Sequence, residues 1–354
     1  MTERVAGRVS VVVPCYNGAR YLRDAIDGVL AQTHPDVELV VADDGSTDES
    51  VAIASSYGAR VRVVSQPNAG PATARNLALG HATGEFVALL DADDRFHPTK
   101  LARQVACLRA RVETGAVYCG WRLVDGDGRP FPEEGWPTVE GDLLRTLVLG
   151  NLFHPVSVVV RRHLVDAVGG FDARCPVNED WDLFLRLSLT GARWACVNEA
   201  LCDYRIHAGQ SHERLALVYR HALAILDRTF AAPGAATIAD LRDDAYVQAH
   251  LRAAAEHYAA GDDAAGGQAF RAAAAVDPGV ALDASRLLRF LRRVLPDGHR
   301  SQAELARRRR ELVDVGRRAI GAAERVIAPA WRARLALRQV ALRLAWRAMR
   351  GRRA

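Results

Sequence analysis

Three carboxylates, Asp91, Asp93 and Asp94, fall within four positions directly after the aliphatic pair Leu89-Leu90. Acids so close together repel one another, and they persist where a divalent cation neutralises them. Hard oxygen ligands on a loop suit Mg²⁺ or Mn²⁺, which bind through one or two carboxylates and complete their coordination with water and substrate phosphate. The competing reading is a solvated acidic turn that merely closes a strand. Other polar clusters, Pro14–Asn17, Asp43–Ser46 and Gln66–Asn68, follow other aliphatic runs in the same way.

Those runs define the elements that must position the acids. Val9–Val13, Val37–Ala42, Val61–Ser65 and Phe86–Leu90 are short and rich in β-branched or aliphatic residues, as strands buried on both faces are. Helical patterns lie between them at about 19–32, 47–57 and 71–79. The second is expected to start from Ser46 as N-cap, with Asp48 and Glu49 in its first turn. This alternation predicts βαβ units and a mostly parallel sheet with flanking helices. Ligands bind beyond the carboxyl ends of such strands, where all four polar clusters fall. Further strands are expected at 116–122, 157–160 and 193–197, with a helix over 181–189.

Five segments in order, VVVPCYNG (11–18), VELVVADDGSTD (37–48), NAGPATARN (68–76), LLDADD (89–94) and NEDWDLFLRL (178–187), closely resemble the family-2 inverting glycosyltransferases. The resemblance covers roughly residues 8–210. It implies a Rossmann-like GT-A fold that binds a nucleoside diphosphate sugar and moves the sugar to a hydroxyl acceptor.

It also implies roles. Pro14, Tyr16 and Asn17 resemble the nucleotide-facing turn, where an aromatic ring stacks on a base; otherwise Tyr16 packs at a helix entry. Asp43 and Asp44 resemble the family's paired acids. Asp44 is favoured to accept a uracil or thymine ring N–H, pointing to a UDP or dTDP donor with GDP as the alternative, while its neighbours cap the next helix. Asn68, Gly70, Arg75 and Asn76 form the third element, with Arg75 reaching a diphosphate or a metal-site carboxylate. Asp93 is the foremost metal ligand, Asp91 contacts ribose or a metal-bound water, and Asp94 assists. Glu179 and Asp180 resemble the catalytic acidic pair, with Asp180 the general base; the alternative is that Asn178 or Asp180 simply caps the helix that follows. Trp181 lines the acceptor site or packs. Gly169-Gly170-Phe171-Asp172 resembles an acceptor-side loop. Arg205 and His207 resemble a late Arg-x-His element that closes over the diphosphate, His207 as a further metal ligand. His154, His163 and His212 have no comparable context.

The whole chain has 354 residues and a net charge of +5, split unevenly. Residues 1–285 carry 27 basic and 37 acidic residues, against 20 arginines and 5 acids in residues 286–354. The expected organisation is a catalytic domain over 1–212, an Ala-rich helical region over 213–300, loosely like half a tetratricopeptide repeat near Gly261–Pro278, and a basic helical tail over 301–354. Trp331–Met349 reads as an imperfect amphipathic helix, with tryptophan and leucine on one side and arginine on another, suited to an anionic membrane surface or to a partner. Arg307–Arg310 stands without a nucleic-acid recognition motif, so no nucleic-acid partner is expected. No apolar run spans a bilayer and no signal-type segment opens the chain, which predicts a cytoplasmic protein, peripheral at the inner membrane face if the tail binds there. Six cysteines without close pairing fit reduced thiols. The acceptor expected of such an enzyme is a glycan or lipid-linked glycan in cell-envelope or polysaccharide synthesis. The alternatives are a non-catalytic sugar-nucleotide-binding or scaffold protein of the same fold and, more remotely, a nucleotidyltransferase. Kinase-like, metalloprotease and serine-hydrolase signatures are absent.

Overall fold

The computed structural model describes residues 4–131, 135–207 and 214–277. The expected tail over 301–354, with its helix at 331–349, lies outside the described residues. The chain divides into two compact units, one of Met1–Arg214 with Asp227–Ile238 and the other of Leu215–Leu226 with Ala239–Ala354.

The first unit is built on one eight-stranded sheet. Strands β1 (Val5–Cys15), β2 (Val37–Asp43), β3 (Arg62–Ser65) and β4 (Gly84–Leu89) alternate with helices α1 (Leu22–Leu30), α2 (Ser50–Ser55) and α3 (Pro71–His81). Then come β5 (Arg95–Phe96), α4 (Lys100–Ala110), β6 (Thr114–Val124), α5 (Leu144–Leu147), β7 (Val158–Arg161), α6 (Arg162–Ala167), α7 (Glu179–Leu189) and β8 (Arg193–Arg205). The spatial order is β3-β2-β1-β4-β7-β6-β8-β5. The first four strands pair with one another in parallel, and so do β6 and β8. Strand β7 runs antiparallel between β4 and β6, and β5 runs antiparallel on β8. Parallel pairing therefore predominates among β1 to β4, and the sheet becomes mixed beyond β4.

Burial explains the parallel half. Val9, Val11, Val12 and Val13 of β1 are all fully buried, so both faces of the strand are covered. Val9, Val11 and Val13 pack with Leu22, Ala25, Ile26 and Val29 of α1 in one core. At the start of β4, a Cβ on Gly84 would lie 2.7 Å from the Arg8 carbonyl oxygen and 2.8 Å from the Ser10 nitrogen, so only glycine lets the strands close.

Local boundaries differ from the sequence expectations at several elements: α1 runs Leu22–Leu30 rather than over 19–32, α7 starts at Glu179 rather than 181, and α2 and β8 differ as well. Helix α2 begins at Ser50 rather than Thr47, and Ser46 does not cap it; the Ser46 hydroxyl instead accepts the Asn17 backbone N–H at 3.0 Å. Asp48 precedes the helix and takes the Ser50 amide at 2.9 Å, which stops the helix from extending backwards. Strand β8 continues to Arg205, well past Val197, because its second half pairs with β6.

In the second unit, α9 (Arg242–Ala259) and α10 (Asp263–Val276) form a helical hairpin through Gly261, whose φ is +84°. Asp262 caps α10 by accepting the Ala265 amide at 3.0 Å. Helix α8 (Leu215–Ala231) precedes them. Among the described residues, no helix is long and apolar enough to cross a membrane. All six cysteines are free thiols.

Candidate functional site

The ends of β1 and β2 form a stitched pair of loops. Asn17 adopts a left-handed conformation (φ 51°), and its side-chain oxygen accepts the Thr47 amide at 2.8 Å. The Gly18 and Ala19 amides donate to the Ser50 hydroxyl and the Asp48 carboxylate at 2.9 and 3.0 Å. Asn17 is thus a loop-organising residue here. Tyr16 stands 54% exposed beside it, its ring open to a planar ligand. Pro14 is half-buried, in register with Ala42.

Asp43 and Asp44 are both buried, with separate tasks. Asp43 accepts the Ser46 amide at 3.1 Å and closes its own turn. Asp44 accepts from the Gln66 side chain at 2.7 Å, the Ala69 amide at 2.9 Å and the Gly70 amide at 2.8 Å. A carboxylate offers about four acceptor sites, so roughly one remains for a ligand N–H. Asn68 is exposed, and its backbone nitrogen would lie 2.8 Å from a Cβ on Gly45, which has φ +78°. Gly70 has φ +91° and open space around it, at the start of α3.

The acidic triplet lies next door, since a Cβ on Gly18 would come within 3.3 Å of the Ala92 Cβ. One ligand oxygen from each of Asp91, Asp93 and Asp94 lies within 4.8 Å of the others. Asp94 is 1% exposed, and its Oδ2 has no hydrogen-bond partner among the described residues. Burial, followed by the charges of Asp93 and Asp91, holds its carboxyl well above the ordinary range. Burial likewise raises Asp91, with Asp93 and Glu179 adding to it and Arg75 opposing. An orphaned buried carboxylate oxygen among converging hard donors fits a divalent cation.

Strand β8 fastens this loop. The Arg205 amide donates to Asp94 at 2.9 Å and its Nε to the Asp93 carbonyl at 2.7 Å. The guanidinium also reaches the Gly126 carbonyl at 3.3 Å and Asp24 at 3.2 Å, and it lies over the Tyr21 ring at 4.6 Å. Arg205 is 4% exposed, and through these contacts it pins the acidic loop to β8. His207 Nε2 meets Asp93 Oδ2 at 2.9 Å, which puts the expected metal pair side by side.

Arg75 joins the triplet to α7. Its guanidinium is ion-paired with Asp91 on one side and Glu179 on the other. It lies 5.4 Å from the Phe171 ring centre. Burial alone would lower its pKa, but Asp91 and Glu179 more than reverse that and keep it charged. Its neighbour Asn76 grips the 169–172 loop, donating to the Phe171 carbonyl at 2.8 Å and accepting the Phe171 amide at 2.9 Å.

Asn178 enters α7 in the left-handed region (φ 58°) and makes no side-chain cap bond. Asp180, in the first turn, accepts the Asn151 side-chain N–H at 2.8 Å. Burial, then the Glu179 charge, pushes its carboxyl up to about 7, with Arg75 opposing. A carboxylate poised there can exchange a proton at neutral pH. Trp181 is 5% exposed and its indole N–H donates to the Leu147 carbonyl at 2.7 Å, so it packs. Asp172, expected on an acceptor-side loop, is held down to about 2 by hydrogen bonds from Arg174 and by Arg228. With Cys175 and Asp182 it forms a second acidic cluster, already filled by arginines 174, 186 and 228.

Two features were not read from the sequence: Asn151, and the aromatic contacts of Tyr204, the residue that opens the late Tyr204–His207 element. Asn151 lies in no motif. Tyr204 stacks on His154 at 3.8 Å, and His154 meets Trp121 edge-on at 4.9 Å. Burial, then Asp94, Asp91, Asp93 and Asp180, raise the Tyr204 phenol, so this aromatic row borders both acidic centres. His154, without context in the sequence, thereby acquires one.

Residues 10–160 match the family model described as glycosyl transferase family 2. Over that stretch the chain is similar to glycosyl transferase family 2. An uncharacterized glycosyltransferase of Rickettsia prowazekii is 31% identical over 208 residues, 57% of this chain and 65% of that protein. The chain thus spans just under two thirds of that relative. Chondroitin synthase of Pasteurella multocida is 33% identical over 190 residues, 52% of this chain but 19% of the synthase. Among solved structures, TarS of S. aureus in complex with UDP-GlcNAc superposes with a TM-score of 0.58 at 21% identity, over 81% of this chain and 88% of that one. A mannosyltransferase of Pyrobaculum calidifontis in complex with GDP-Man and Mn²⁺ gives 0.54 at 23% identity, over 89% and 85%. At that identity the likeness shows a shared GT-A fold.

Proposed function

We propose that this chain is an inverting, metal-dependent glycosyltransferase that moves one sugar from a nucleoside diphosphate to a hydroxyl acceptor. The observation that carries the reading is the buried guanidinium of Arg75, which joins the acidic loop at Asp91 to the acidic helix start at Glu179.

Tyr16, Asp43, Asp44 and Gly70 bind the nucleoside side of the donor. Stacking on Tyr16 contributes about 1–3 kcal/mol by analogy with base–aromatic contacts. The remaining acceptor site of Asp44 favours a base with a ring N–H, hence UDP or dTDP. Asp93, Asp91 and His207, with Asp94 behind them, would hold Mn²⁺ or Mg²⁺, which would supply charge neutralisation for the departing diphosphate. Asp180 accepts the proton of the acceptor hydroxyl as its oxygen attacks the anomeric carbon. The new glycosidic bond forms as the bond to the diphosphate oxygen breaks, and the nucleoside diphosphate leaves with that electron pair. One displacement with one base inverts the configuration.

The TarS neighbour in complex with UDP-GlcNAc and the chondroitin synthase relative support a uridine nucleotide donor and a glycan acceptor, while the mannosyltransferase neighbour supports Mn²⁺. We place the acceptor in cell-envelope or polysaccharide glycan synthesis. The deciding experiment is a melting screen of nucleoside diphosphates and their sugars with Mn²⁺ or Mg²⁺, followed by donor turnover. Native-state ligands raise the melting temperature by mass action. Turnover with UDP- or dTDP-sugar that disappears in Asp93→Ala and Asp180→Asn supports the enzyme. Binding without turnover favours a sugar-nucleotide-binding protein, and no binding overturns both.

A further inference from the structure

Asn151 lies on the segment between α5 and the short 3-10 turn Pro155–Ser157. Its side-chain N–H donates to Asp180 Oδ2 at 2.8 Å, while its oxygen faces the Phe153 amide at 3.4 Å. That second contact fixes the amide's orientation, because the flipped form would set oxygen against carboxylate and NH₂ against N–H.

The segment is fastened to the helix that carries Asp180. On one side, the Trp181 indole donates to the Leu147 carbonyl at 2.7 Å. On the other, Phe153 packs edge-on against Phe184 at 5.9 Å and stacks on Trp194 at 5.0 Å. Trp181 follows Asp180 directly, and Phe184 lies one turn beyond it. Asn151 sits between these two anchors, so its geometry toward Asp180 is set by packing on both flanks.

The other groups around Asp180 are Glu179 on its own helix, Arg75 from α3, the Trp181 amide and the Tyr204 phenol from β8. Arg75 is shared between Asp91 and Glu179. Among the described residues, Asn151 is the uncharged side chain that holds Asp180 directly, through Oδ2.

We propose that Asn151 is the positioning residue of the catalytic base: it fixes Oδ2 of Asp180, so that Oδ1 is presented to the acceptor hydroxyl. This rests on the reading of Asp180 as the base. A neutral donor stabilises the ionised carboxylate without supplying a competing proton or a charge that would weaken the base.

The test compares Asn151→Ala, Asn151→Gln and Asp180→Asn in the full chain, with nucleotide-sugar donor and Mn²⁺, below the melting temperature of every variant. Asn151→Ala is expected to lower kcat by about 10–100-fold, the usual cost of losing an orienting partner. The donor KM should stay within about twofold. The acid limb of the pH–rate profile should move to higher pH, because the ionised base has lost a donor. Asn151→Gln, which keeps an amide on a longer arm, should recover part of the rate. A role in packing alone would lower the melting temperature and leave the acid limb in place. Wild-type kcat and an unmoved limb in Asn151→Ala, with Asp180→Asn inactive, overturn the positioning role alone. Full activity in Asp180→Asn overturns the base assignment beneath it.

Discussion

The guanidinium of Arg75 is ion-paired with the carboxylate of Glu179, although 104 residues separate them in the chain. Its other nitrogen holds Asp91, so one side chain spans from the end of β4 to the start of α7. Arg75→Met would leave a buried Glu179 without its cation. Breaking one partner from such a pair costs about 3–5 kcal/mol. Urea unfolding should show that loss as a lower midpoint. Arg75→Lys should restore little, because an ammonium cannot reproduce the fork that reaches both acids.

Asp180 makes a prediction of opposite sign for stability. Its folded-state pKa of about 7 lies above the ordinary carboxyl value, so the folded chain binds the extra proton and its stability falls as pH rises through that window. Asp180→Asn removes the buried charge and its repulsion with Glu179. The variant should melt higher than the parent at pH 8, with the difference fading toward pH 4, even as turnover falls by about 10²–10⁴-fold. Melting curves across pH, set beside turnover in the same buffers, check both halves.

Asp94 should behave similarly in the metal-free protein. Its orphaned oxygen and its two acidic neighbours disfavour the folded state until a cation arrives. Asp94→Asn should raise the melting temperature without metal and shrink the rise produced by Mn²⁺. Asp93→Ala should abolish that rise, and His207→Ala should weaken it, as titration of melting temperature against Mn²⁺ will show.

Asp44 ties down the loop that leads into α3. Asp44→Ala strands the Gln66 side chain and the Ala69 and Gly70 amides, each left donor costing about 1–3 kcal/mol where water cannot replace the carboxylate. The expected result is a donor KM raised by tenfold or more with a smaller change in kcat. Steady-state kinetics with varied donor would separate the two.

Much of this was legible in the sequence because it depended on patterns that repeat. Strands buried on both faces must be continuous in aliphatic residues, so β1 to β4 stood out, and the acids after β4 stood out against them. The shorter pieces had no such handle. Strand β5 is two residues, Arg95 and Phe96, and exists because β8 offers it a partner at Asp203 and Cys202. Asp203 in turn gathers Arg95, His97 and Arg122 around one carboxylate, a hub no spacing rule announces. Ser46 misled because a serine before acids reads as a cap, whereas Asn17 from another loop claims its hydroxyl. Arg205 matched its motif, yet how far a long side chain reaches is decided by tertiary neighbours, here Asp24 and the Gly126 carbonyl. Asn151 is a lone amide whose meaning depends entirely on what folds against it.

Strand β8 has a consequence for the newborn chain. It lies between β6 and β5 and supplies Arg205 and, just beyond, His207 to the acidic loop. When the ribosome has delivered β6, the rim of that strand stays bare until roughly seventy further residues have emerged, and such rims invite wrong pairing between chains. The acidic loop is made early, but its fastenings are made last. Synthesis that stalls after β7 would release a sticky intermediate with its carboxylates unpinned, so chaperone demand should centre on this interval.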